Sequence, residues 1–85
     1  MTEKVQILVL IPTDVYDGFV RVCPQNSGQY KALKNGVIID DWRYGKAVEI
    51  LCAPTYARVL LGLARTIYPD AVPYIEESIK LDRKP

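Results

Sequence analysis

Residues 4–11 read Lys4-Val5-Gln6-Ile7-Leu8-Val9-Leu10-Ile11, and Pro12 follows. Only Gln6 interrupts the apolar run from Val5 to Ile11. β-Branched residues recur through it, and Pro12, with no N–H to offer a ladder, closes it, which is how a well-covered strand reads. Successive side chains of a strand point to opposite faces. Val5, Ile7, Val9 and Ile11 therefore share one side and Lys4, Gln6, Leu8 and Leu10 the other. The rest of the chain has to supply cover for both.

Downstream the apolar period lengthens. Thr13 can cap a helix in which Val15, Phe19, Val22 and Cys23 recur at helical spacing up to Pro24; Gly18 weakens that helix and keeps a strand over 18–23 as the competing reading. Asn26 or Ser27 can cap a second short turn of helix through Tyr30 and Leu33, with Asn35-Gly36 as a left-handed exit. Residues 37–40 and 46–52 read as two strands joined by a five-residue tip, Asp41-Trp42-Arg43-Tyr44-Gly45. Pro54 suits a first helical turn, and Ala57, Leu60, Leu61, Ala64 and Ile67 form the stripe of a core-facing helix. After Pro69, Asp70 can cap a last helix that tolerates an early Pro73 and aligns Val72, Ile75 and Ile79.

The expected order is therefore β-α-β-β-α-α. A right-handed β-α-β crossover with the hairpin partner inserted between its strands gives the split β-α-β, ferredoxin-like arrangement. This is an α+β fold with a three-stranded sheet and helices mainly on one face. Its last-formed strand, 46–52, lies in the centre, and 4–11 is left as an open edge. One layer of helices covers Val5, Ile7, Val9 and Ile11, while Leu8, Leu10 and Leu51 need something else. Either the last helix folds around the edge or a second subunit lies on that face, so these three leucines are the candidate subunit or partner interface.

Composition narrows the function classes. At 85 residues the chain is one small domain, 1–85, with apolar residues at 49% and charged residues at 25%, the balance of a folded soluble protein. Eleven Lys and Arg against ten Asp and Glu leave a net charge of +1, without the overall basicity of a dedicated DNA-coating protein. Lys4 ahead of the apolar run imitates a secretion signal, but no small-x-small site follows and Asp14 and Asp17 arrive too early. No stretch approaches the roughly 18 apolar residues of a membrane span. The expected location is the cytoplasm, where Cys23 and Cys52, spaced for neither a redox pair nor a zinc site, are reduced and buried.

Catalytic chemistry has little to draw on. The chain contains no His, so neither thiol has the usual activating base, and the commonest metal ligand is missing. Asp40-Asp41 and Glu76-Glu77 are adjacent pairs, which diverge on a strand or a helix instead of converging on a substrate. No phosphate-binding glycine loop, nucleophile elbow or calcium loop is present. The expectation is no enzyme, no cofactor, no catalytic residue and no metal site. Nucleic-acid binding has one point in its favour: the tip Trp42-Arg43-Tyr44-Gly45-Lys46 interleaves aromatic and basic residues, with Lys31, Lys34 and Arg58 as further cations. Arg58, Gly62 and Arg65 form the face of the main helix opposite its apolar stripe. Trp42, Arg43, Tyr44, Lys46, Arg58 and Arg65 are thus the candidate nucleic-acid or anion surface. Against it, residues 4–11 and 46–52 carry none of the aromatics that an RNA-recognition sheet displays. The leading expectation is a small interaction or regulatory module, a homodimer or an accessory subunit, whose partner is itself or another protein; nucleic acid comes second and a membrane is not expected.

Overall fold

In the computed structural model, which describes residues 4–82, Lys4–Pro12 forms β1 and is paired along both of its sides. One neighbour is β3 (Gly45–Cys52), with Leu8 opposite Leu51 and Val9 opposite Ile50. The other is β4 (Glu76–Asp82), with Leu8 opposite Ser78 and Leu10 opposite Glu76. With β2 (Val37–Trp42) outside β3, the sheet is antiparallel and ordered β2-β3-β1-β4. The molecule is an α+β fold with a four-stranded sheet, so the three-stranded expectation and the open edge at 4–11 are both corrected.

The source of that correction is the last segment. The expectation of a last helix capped by Asp70 is corrected: Pro69–Tyr74 makes a 3-10 turn and the chain straightens into β4. The spacing of four between Ile75 and Ile79 suits a helical face, but four is also twice the strand period, and Leu81 continues the alternation. Pro73, inside the 3-10 turn, further resists a regular helix. Ile79, expected to align with Val72 and Ile75 on one side of a helix, is 72% exposed on the edge strand.

The helices fall where the apolar spacing puts them, but the expected stripes are corrected at two positions: Val22 is exposed, and Leu63, not Leu61, packs on the core. Thr13–Val22 is α1, so 18–22 is helix and Cys23 is its extended C-cap; Pro12 occupies the N-capping position, no side chain caps it, and Thr13 is already inside. Gly28–Lys34 is α2, capped by Ser27, whose Oγ accepts from the Tyr30 N–H over 3.2 Å. Its exit is not left-handed, because Asn35 has φ −90° and ψ 5°. The chain leaves instead through a Gly36 N–H to Leu33 carbonyl bond of 3.0 Å. Gly36 serves close approach, since a Cβ there would lie 2.5 Å from Val48 Cγ1. Pro54–Ile67 is α3, with Pro54 in its first turn and Ala57, Leu60 and Ala64 buried.

The hairpin is tighter than a five-residue tip. β2 runs on to Trp42 and β3 starts at Gly45, leaving Arg43-Tyr44 as the turn. A bulge makes this possible: Ile39 pairs with Ala47 and Trp42 with Gly45, so Asp40 and Asp41 together oppose Lys46. Gly45, at φ +112°, takes the positive backbone angle that lets the strands re-pair beyond the turn.

All three helices pack on one side of the sheet, where Val9, Ile11, Val48, Ile50 and Cys52 meet Phe19, Leu33, Leu60 and Ala64 in a single core cluster. The shortest dimension of the molecule, 19 Å, is that of one sheet plus one helical layer. Leu8, Leu10, Ile39 and Leu51 alternate onto the opposite side and lie outside that cluster. The expected wrap of a last helix over them does not occur, since that segment pairs with β1 in the plane of the sheet.

Candidate functional site

Two places on the molecule bring the sequence-nominated residues together. The first is the helix-free sheet face. Leu8 and Leu51 are direct cross-strand partners, and Leu10 lies opposite Glu49 on the same face. Leu51 is 49% exposed, whereas Leu8 and Leu10 are partly shielded. Val37, exposed, and Ile39, partly buried, extend the apolar strip onto β2. Sequence reasoning missed these two because the bulge at 40–41, which sets which residues of β2 share a face with β3, is invisible in the composition of the strand.

The second place is the sheet end where β1 passes into α1. The β2–β3 turn folds back on the start of β4: the Trp42 indole donates to a Glu76 carboxylate oxygen over 3.1 Å, and Arg43 Nε lies 3.3 Å from the other oxygen. Tyr44 packs edge-on between two rings, 4.8 Å from Trp42 at 78° and 5.1 Å from Tyr74 at 83°. The Arg43 guanidinium lies 5.8 Å from the Tyr44 ring centroid. Trp42 and Arg43 are thus tied to Glu76, and Tyr44 to Tyr74, across the sheet end, with the indole N–H and Arg43 Nε engaged within the chain.

Behind the turn opens a hollow of about 460 Å³. Trp42, Tyr44 and Tyr74 are its aromatic lining residues, Pro12 and Val15 its aliphatic ones, and Asp14 and Asp70 its acidic ones. Each Asp sits in the first turn of its helical segment, where the orphan N–H groups favour negative charge. The hollow is built from three separated stretches, 12–15, 42–44 and 70–74, so only the tip was nominated from sequence. The one available signal was the clustering of Pro and Tyr around 68–74, which reads equally as an ordinary turn.

The remaining candidates do not join either place. Lys46 is exposed on β3, and Arg58 and Arg65 are exposed on α3; among the described residues none of them forms a salt bridge. Cys23 and Cys52 are free thiols, each buried. Burial pushes both upward from the ordinary thiol value, and the nearby Glu77 carboxylate adds to the rise at Cys52. Burial likewise raises Tyr16, whose hydroxyl donates to the Leu33 carbonyl and ties α1 to the end of α2. Among the described residues no helix is long and apolar enough to cross a membrane. The chain matches no protein-family model, and comparison with curated proteins and with solved structures gives no match.

Proposed function

We propose that the chain is a small non-enzymatic interaction module of ferredoxin-like architecture that associates with a second copy of itself through the helix-free face of its sheet. The observation that carries this reading is the Leu8–Leu51 pair on that face, with Leu51 half exposed in the middle of the sheet. The interleaving of β3 between β1 and β2, and of β1 between β3 and β4, supports the architecture. Size supports the occupant. Four strands and the eight residues of β3 give a face of roughly 19 by 26 Å. Two such faces together bury about 1,000 Å², the lower bound for a specific interface. Two reduced, buried thiols suit a cytoplasmic location.

Sedimentation equilibrium across the micromolar range tests the proposal. The expected mass is twice 9.6 kDa; a clean monomer at high micromolar concentration would overturn it. Nucleic-acid binding through Trp42, Arg43, Tyr44 and Lys46 is the alternative, and it requires Trp42 and Arg43 to give up Glu76. Its mark is an affinity that falls linearly on a log–log plot against salt.

A further inference from the structure

We propose that the hollow at the C-terminal end of β1 binds an alkylated ammonium group, of the kind carried by a choline-type small molecule or by a methylated lysine side chain. The chemistry of its walls selects that class. Trp42, Tyr44 and Tyr74 are consecutive near-perpendicular rings, so they enclose a corner instead of stacking into a closed pile. Aromatic faces carry the negative part of the ring quadrupole and attract cations that shed water easily, which alkylated ammonium does.

The carboxylates strengthen the preference. Asp14 and Asp70 line the same hollow, and neither forms a salt bridge among the described residues. Arg43, on the adjoining turn, pairs with Glu76, rests 5.8 Å from the Tyr44 ring centroid and lines no part of the cavity. Among the described residues that line it, the hollow thus has two acidic and three aromatic side chains and no Lys or Arg, with Arg43 approaching Tyr44 from outside the lining. Its aliphatic side, Pro12 and Val15, suits the methyl groups that surround the nitrogen. A volume of about 460 Å³ lies in the range of small-ligand sites. Anionic ligands are repelled by the same pair of carboxylates. The hollow lies at the sheet end, next to the Leu10–Glu76 pair, and its occupancy is read at Trp42 whether or not the chain self-associates.

The test is a titration of the wild-type chain with tetramethylammonium chloride against sodium chloride at matched ionic strength. Fluorescence of Trp42, the single tryptophan, reports occupancy. The neutral isostere 3,3-dimethylbutanol is the comparator. Saturable quenching by tetramethylammonium, with weaker or no response to the isostere, is the expected result. Asp70→Asn and Tyr74→Leu, both at exposed positions, should each weaken it roughly two- to fivefold. Choline and Nα-acetyl-trimethyllysine methyl ester then distinguish the two sources, the tighter probe naming the one that fits. Equal binding of the isostere, or no saturation by tetramethylammonium in the range of weak cation–π sites, overturns the proposal without any variant having to fold.

Discussion

The indole N–H of Trp42, at the end of one edge strand, donates over 3.1 Å to Glu76, at the start of the other edge strand. Four strands at their usual spacing put those edges about 14 Å apart. The two side chains close that distance across the end of β3 and β1, where Ala47 pairs with Pro12. Ala47 is fully buried although it lies outside the core cluster. One hydrogen bond thus clasps the sheet end and shapes the aromatic corner next to it.

Glu76→Ala should open this clasp. The lost hydrogen bond to a charged acceptor costs about 1 kcal/mol or more, a Tm fall of roughly 4–8 °C per kcal/mol in a chain this small. Arg43→Ala should stay within about 0.5 kcal/mol of wild type, because its partner charge is met near the surface. Thermal melts compare the two, and Trp42 emission should shift to the red only for Glu76→Ala. Equal losses would mean that the ion pair, not the indole, holds the turn.

Leu51→Lys tests the sheet face. The residue is half exposed and outside the core cluster, so a folded subunit can solvate the new charge. The expected product is a folded monomer whose Tm no longer depends on protein concentration. Ile50→Lys, one residue along and fully buried on the helical side, should instead unfold the chain. A Leu51→Lys protein that keeps the mass of the wild-type assembly places the interface elsewhere.

Two glycine substitutions should move stability in opposite directions. At Gly36 a Cβ meets Val48 Cγ1 at 2.5 Å and the Leu33 carbonyl at 3.1 Å, so Gly36→Ala forces β2 or α2 to shift and costs about 1–3 kcal/mol. At Gly62, inside α3, a Cβ meets nothing within 4 Å, and Gly62→Ala should gain about 0.5–1 kcal/mol from helix propensity. Urea denaturation midpoints read both. A destabilised Gly62→Ala would show that the outer face of α3, between Arg58 and Arg65, is occupied by something the chain itself does not provide.

The thiols define an alkaline limit. Burial raises Cys23 and Cys52 above the ordinary value of 9.0, so the unfolded chain loses these protons first as pH rises. Stability from this source is complete below that value and drains away as pH climbs through the native thiol range. Denaturant midpoints should hold level from neutral pH and fall above about pH 9, with a shallower fall in the Cys23→Ala/Cys52→Ala double variant. At neutral pH a thiol reagent should label the native chain far more slowly than the unfolded one. Rapid stoichiometric labelling would instead mark one thiol as reactive.

By itself the sequence determined the elements whose cause is local. The apolar run of 4–11, the stripe Ala57-Leu60-Ala64, Ser27 as a cap and the alternation that sets Leu8 and Leu10 apart from Val9 and Ile11 are all consequences of period and capping within a few residues. Tertiary structure decided what local pattern left degenerate. Ile75, Ile79 and Leu81 suit a strand as well as a helix, and the segment becomes β4 by pairing with the N–H and C=O groups along the free edge of β1. Gly18 argued against α1 until the fold placed the Tyr68 ring where its Cβ would stand, at 1.9 Å from the hydroxyl oxygen. The hollow of Asp14, Trp42, Tyr44, Asp70 and Tyr74 exists only where three distant segments meet, and no window of sequence contains it.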